Sequence, residues 1–195
     1  MFEVTNWVWN GILSDELCDA IINEGDKLIS EDGRIGGNTN DGPGRYESKI
    51  RDTNVSFFAS GHWIEAICLH YANIANVNAG WNFDIIKTQN IQYARYFPEQ
   101  HYLPHRDDTI RRVNPNNPHL MRKLSVVLQI SPKENYTGGE LLIELPNCDD
   151  LQPIPEFQNR GSVIVFPSLV KHTVTPIEKG VRHSIVSWVV GPNFR

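Results

Sequence analysis

The residues best suited to chemistry lie in YARYFPEQHYLPHRDD, residues 93–108, which contains His105-Arg106-Asp107. In an extended segment, side chains two apart point the same way. This H-x-D could therefore offer an imidazole and a carboxylate to one metal ion. Pro104 argues against a helix here, which also weakens His101 and His105 as a helical zinc pair. Alone the motif says little: in a chain with seven histidines it could equally be a solvated pair on a surface turn. A distal histidine would complete a two-His-one-carboxylate triad, the arrangement that leaves positions open on non-haem Fe(II). His172 follows one strand-like run and starts another, and ten residues later Arg182 opens the run RHSIVSWVV. A buried arginine there could clamp a carboxylate through two parallel, charge-assisted hydrogen bonds.

Such residues need strands to hold them, and the second part of the chain supplies the pattern. Runs rich in β-branched and aromatic residues fall at 91–97, 124–130, 140–145, 162–166, 172–177 and 183–190. They alternate with turn signals such as Gly138-Gly139, which predicts a sandwich or barrel and not a parallel sheet. Before residue 84 the texture is helical. Ser14 can cap a helix opening on Asp15-Glu16, with Leu17, Ile21 and Leu28 on one face. Ile64, Ile67, Tyr71 and Ile74 predict a second helix over about 62–75. The expectation is one domain over 1–195, mainly β with supporting helices. Residues 1–83 would be mainly helical support, packed on one face of a β core at 84–195. Two segments are candidate lids over a substrate: 31–48, with five glycines, and 109–123, with Arg111, Arg112, Arg122 and Lys123.

Composition narrows the classes. The 195 residues are 40% hydrophobic with a net charge of −5, an ordinary globular balance that speaks against a nucleic-acid binder. No apolar run approaches the roughly 18 residues that cross a bilayer. The start MFEVTNWVWNG has no basic end and does not read as a secretory signal. Cys18, Cys68 and Cys148 form neither a disulfide framework nor a C-x-x-C site, so a reducing cytoplasm is the expected location.

From about residue 89 to 192 the chain resembles the Fe(II)/2-oxoglutarate-dependent oxygenases, in particular the prolyl 4-hydroxylase-like group. The resemblance rests on Tyr96, Tyr102, His105 and Asp107, then Gly138-Gly139-Glu140-Leu141, Gly161, His172, Arg182 and Trp188, in that order. It implies a double-stranded β-helix, or jelly roll, with His105, Asp107 and His172 on the iron. It implies Arg182 on the distal carboxylate of 2-oxoglutarate and Tyr96 at the cosubstrate pocket. The group often carries a second pocket tyrosine on the strand at 124–131. Here Gln129 takes that place and could still donate a hydrogen bond, and Ser125 shares its strand face by period-two counting. Tyr102, Arg122 and Trp188 match residues that contact peptide around a target proline.

The implied activity is hydroxylation of an unactivated C–H, foremost of a peptidyl proline as in procollagen-proline 4-dioxygenases. Fe(II), 2-oxoglutarate and O2 would be required, 2-oxoglutarate would be decarboxylated to succinate, and ascorbate would serve as reductant. Asp107 favours hydroxylation, because the related halogenases lack this carboxylate. The expected partner is a proline-containing peptide or protein, with neither nucleic acid nor membrane. Other readings stay open at this point: an oxygenase of a free amino acid or other small molecule, a non-catalytic metal-binding scaffold, and a zinc hydrolase.

Overall fold

The computed structural model describes residues 2–35, 44–108 and 119–194. The chain opens with β1 (Trp7–Trp9), α1 (Asp15–Gly25), β2 (Glu31–Asp32), β3 (Arg51–Asp52), β4 (Asn54–Phe58) and α2 (Trp63–Asn78). Next come β5 (Lys87–Thr88), β6 (Ile91–Tyr96), β7 (His101–His105), β8 (Leu120–Gln129), β9 (Tyr136–Gly138) and β10 (Leu141–Ile143). The last are β11 (Gln152–Pro153), β12 (Ser162–Pro167), β13 (His172–Val174), β14 (Ile177–Gly180) and β15 (Arg182–Pro192).

The strands form two main antiparallel sheets. The larger runs β1-β12-β8-β15-β6-β4-β2, with β5 also on β15. The smaller runs β11-β10-β13-β7-β3, and β14-β9 form a separate ribbon. This is the double-stranded β-helix.

Strand β8 shows why the larger sheet sits where it does. Leu124, Val126 and Leu128 face one way, into a core with Cys18, Ile21, Ile64, Cys68, Ala72 and Ala75 from the two helices. Ser125, Val127 and Gln129 alternate to the other face. There Val127 joins Ala94 and Tyr96 of β6 and Leu141, Ile143 and Val174 of the smaller sheet in a second core. Both faces are covered, so the strand reads as a near-continuous apolar run. Helix α1 starts where its cap predicts, with the Ser14 Oγ accepting from the Leu17 N–H at 3.3 Å. It ends at Gly25, where a Cβ would stand 2.8 Å from the Tyr93 ring.

Four expectations need correction. Residues 1–83 are not helical support alone, and the β core is not confined to 84–195: the first part also holds β1 to β4, three of them in the larger sheet and β3 in the smaller. Trp7–Trp9 is too short to register a period, and Asn54–Phe58 follows Arg51–Asp52 with no turn residue to announce it. Leu28 lies beyond the end of α1. The single run expected at 172–177 is two strands, β13 and β14, in different sheets. Of the two candidate lids, Glu31–Asp32 belongs to β2 and residues 120–123 to β8. The remainder at 36–43 and 109–118 lies outside the described residues. Among the described residues no helix is long and apolar enough to cross a membrane.

Candidate active site

The two sheets enclose a cavity of about 780 Å³, and the ladders decide which side chains reach it. In the β13–β7 ladder His172 stands directly opposite His105. Asp107 follows β7 by two residues and keeps the direction of His105. The ligand atoms of His105, Asp107 and His172 all lie within 4.8 Å of one another. The Nε2 atoms of His105 and His172 are 3.7 and 3.6 Å from the Asp107 carboxylate oxygens. Each Nδ1 meets a backbone carbonyl, Leu103 O at 2.8 Å and Val170 O at 3.1 Å. Those bonds fix the proton on Nδ1 and leave both Nε2 lone pairs aimed at the shared space.

Electrostatics hold the cluster ready for a cation. Burial, reinforced by His172, pushes the His105 imidazole down to about 3, so it stays neutral through the physiological range. Burial alone would raise Asp107. His172, His105, Arg122 and the Ser125 hydrogen bond outweigh it and bring the carboxyl down to about 2. The result is a neutral His105 imidazole beside a buried carboxylate, with the His172 Nε2 facing the same carboxylate. That donor set fits a first-row divalent metal with open positions.

Arg182 is 3% exposed and lines the same cavity. Among the described residues its guanidinium has no carboxylate or hydrogen-bond partner; the Tyr96 ring, centred 5.8 Å away, is its neighbour. Gly139, at φ +64°, gives its stem room, since a Cβ there would lie 3.1 Å from the Arg182 Cδ. A buried cation of this kind requires an anion.

The other expected residues fall as follows. Tyr96 lines the cavity. Tyr102 stacks on the His105 ring, centroids 3.5 Å apart, and carries the Arg51 guanidinium 4.8 Å from its own centroid. It thus braces a candidate ligand as well as forming wall. Trp188 is half-buried in the wall, with the Arg122 guanidinium 3.8 Å from its ring centroid. Arg122 is no solvated loop charge, because its Nε donates to Gln89 Oε1 at 2.8 Å. Two expectations change. The Ser125 hydroxyl does not line the cavity; it donates to Asp107 Oδ2 at 2.6 Å and shares a 2.9 Å bond with Ser168 Oγ. Gln129 lines a smaller adjoining cavity and not the main one.

Ser168 and Arg51 were missed by sequence reasoning. Neither sits in a recognisable motif; register alone brings them to the site. Ser125→Ala would leave Asp107 Oδ2 without its donor. We expect Mn(II) affinity to fall roughly tenfold or more, measured by calorimetry, with little change in melting temperature. Unchanged affinity would show that the bond does not position the carboxylate.

The fold and the cluster together define a class: a double-stranded β-helix whose two histidines and one aspartate could hold a metal on one face. Residues 91–190 match the model of the 2OG-Fe(II) oxygenase superfamily, and the chain belongs to that superfamily. It is 36% identical over 104 residues to a PKHD-type hydroxylase of Alteromonas mediterranea, covering 50% of this chain and 41% of that protein. A PKHD-type hydroxylase of Acinetobacter baumannii is 28% identical over 179 residues, 91% of this chain and 74% of the relative. The alignment with the Alteromonas relative thus spans less than half of that protein. Among solved structures, a prolyl-4-hydroxylase of Pseudomonas putida superposes with a TM-score of 0.68 at 18% identity, over 95% of this chain and 91% of that one. A prolyl hydroxylase from Trichoplax adhaerens, in complex with a hypoxia inducible factor peptide fragment, gives 0.64 at 18%, over 95% and 83%. At these identities the structures establish the shared fold.

Proposed function

We propose that this chain, as one domain over 1–195, is an Fe(II)- and 2-oxoglutarate-dependent dioxygenase that hydroxylates peptidyl proline. The observation that carries the reading is the meeting, in one cavity, of the His105–Asp107–His172 donor set with Arg182, which has no partner among the described residues. Bound iron, with 2-oxoglutarate and O2, supplies the oxidation that turns C–H into C–OH while 2-oxoglutarate becomes succinate and CO2. The chain's own residues do the rest. His105 and His172 hold the metal through Nε2, and Asp107 through its carboxylate. Arg182 takes the distal carboxylate of 2-oxoglutarate, with Tyr96 beside it. Val127, Leu141, Val174 and Val186 keep the wall apolar and exclude water.

Tyr102 and Trp188 offer aromatic surface to a proline ring, and Arg122 offers donors at the edge of Trp188. The names of the PKHD-type relatives support a hydroxylase, and the neighbour holding a peptide fragment supports a peptide as its substrate. Ascorbate belongs to the proposal as the reductant. So does the cytoplasm, whose reducing conditions suit three free cysteines.

The test is mass spectrometry of proline-rich peptides incubated with the protein, Fe(II), 2-oxoglutarate and ascorbate. Gain of one oxygen on proline is expected. Trp188→Ala should weaken peptide use about tenfold while sparing peptide-free turnover of 2-oxoglutarate. Equal loss of both would make Trp188 structural, and oxygen gain on a free amino acid but on no peptide would overturn the substrate assignment.

A further inference from the structure

Gln129 and Arg182 line a second cavity, of about 270 Å³, together with Tyr136, Lys133 and Glu140. It adjoins the main cavity at Arg182 and Leu141, which line both. Gln129 is 1% exposed. Its Nε2 donates to the Tyr136 hydroxyl oxygen at 2.7 Å, while its Oε1 is buried without a partner among the described residues. A phenol oxygen that accepts one hydrogen bond still has its own hydrogen to donate. The pair is therefore incomplete as it stands.

The strand ladders bring both residues to the arginine. Tyr136 is opposite Gly180, two residues before Arg182, and Gln129 is opposite Ser184, two residues after it. The other charged groups on this cavity have neighbours of their own. Lys133 Nζ donates to Gln158 Oε1 at 3.1 Å, and Gln158 Nε2 donates to Glu140 Oε1 at 3.3 Å. A carboxylate offers about four lone-pair sites, and an arginine fork fills two, so a neighbouring hydroxyl can take a third.

Resting on the cosubstrate reading above, we infer that Tyr136, held in place by Gln129, is a second anchor beside Arg182 for the distal carboxylate of 2-oxoglutarate. The phenol that sequence resemblance leads one to expect on β8 is replaced there by Gln129, and β9 supplies a phenol instead. Gln129 is thus a positioning residue, and Tyr136 the group that touches the ligand.

The experiment is calorimetric titration of 2-oxoglutarate into the anaerobic, Mn(II)-loaded protein, with Mn(II) affinity measured in parallel. Tyr136→Phe removes one oxygen and should raise the Kd for 2-oxoglutarate about tenfold or more, leaving Mn(II) binding unchanged. Gln129→Glu keeps the volume, sets a like charge near the ligand, and should raise the Kd further; it also carries the test if Tyr136→Phe fails to fold. Lys133→Met should stay within about twofold of wild type, because Lys133 is directed to Gln158. An unchanged Kd in Tyr136→Phe, an equal loss of Mn(II) binding, or a dependence that moves to Lys133 would overturn the inference. Wild-type protein that binds Mn(II) but not 2-oxoglutarate would instead sink the cosubstrate reading, and the inference with it.

Discussion

Asp107→Ala is expected to abolish succinate formation and to lower Fe(II) or Mn(II) affinity by at least on the order of 100-fold, with the fold intact. The reason is the charge arithmetic of the cluster. His105 is neutral, and Asp107 is the carboxylate that both Nε2 atoms face at 3.7 and 3.6 Å. Without it, two imidazoles would have to strip a hydrated divalent cation of its water with no anionic ligand to help. The substitution leaves no orphaned hydroxyl, because Ser125 keeps its 2.9 Å bond to Ser168. Circular dichroism and melting should therefore resemble wild type. Retained metal affinity in Asp107→Ala would mean that the metal binds elsewhere.

The second large effect is expected at Arg182. Truncation to Ala would leave a buried carboxylate of 2-oxoglutarate without its cation, a loss of about 2–5 kcal/mol. The KM for 2-oxoglutarate should rise well beyond tenfold, while metal affinity stays as it was. Arg182→Lys should recover part of the loss, since it restores the charge without the planar fork. Steady-state kinetics with varied 2-oxoglutarate reads both. An unchanged KM would contradict the assignment, and two other described arginines are engaged elsewhere. Arg95 is turned to Asp26, 3.5 Å away, and Arg51 is committed to Arg34 O and Gln92 Oε1.

The H-x-D was readable because extended backbone alone fixes the relation of His105 to Asp107. His172 and Arg182 were readable because each opens a strand-like run. That His172 lies opposite His105 depends on the pairing of β13 with β7, which no local pattern encodes. The same limit hid Ser168, which meets Ser125 across 43 residues of chain, and the stacking of Tyr102 on His105. Ser125 was placed on the correct face of β8 by period-two counting, yet its hydroxyl is spent on Asp107. Face is a property of the strand, whereas hydrogen-bond partners are set by tertiary approach. The early strands were obscured for a related reason. Trp7–Trp9 and Asn54–Phe58 gain their identity from pairing with β12 and β6 and not from their own period.

The central claim is that three side chains hold one metal and Arg182 holds the cosubstrate beside it. A crystal structure with Mn(II) and 2-oxoglutarate, grown without oxygen and phased on the metal's anomalous signal, tests it most directly. The account predicts one strong peak about 2.0–2.3 Å from His105 Nε2, an Asp107 carboxylate oxygen and His172 Nε2. It further predicts the distal carboxylate of 2-oxoglutarate in two parallel hydrogen bonds with the Arg182 guanidinium. A metal bound away from His172, or a cosubstrate whose distal carboxylate leaves Arg182 unpaired, would contradict it.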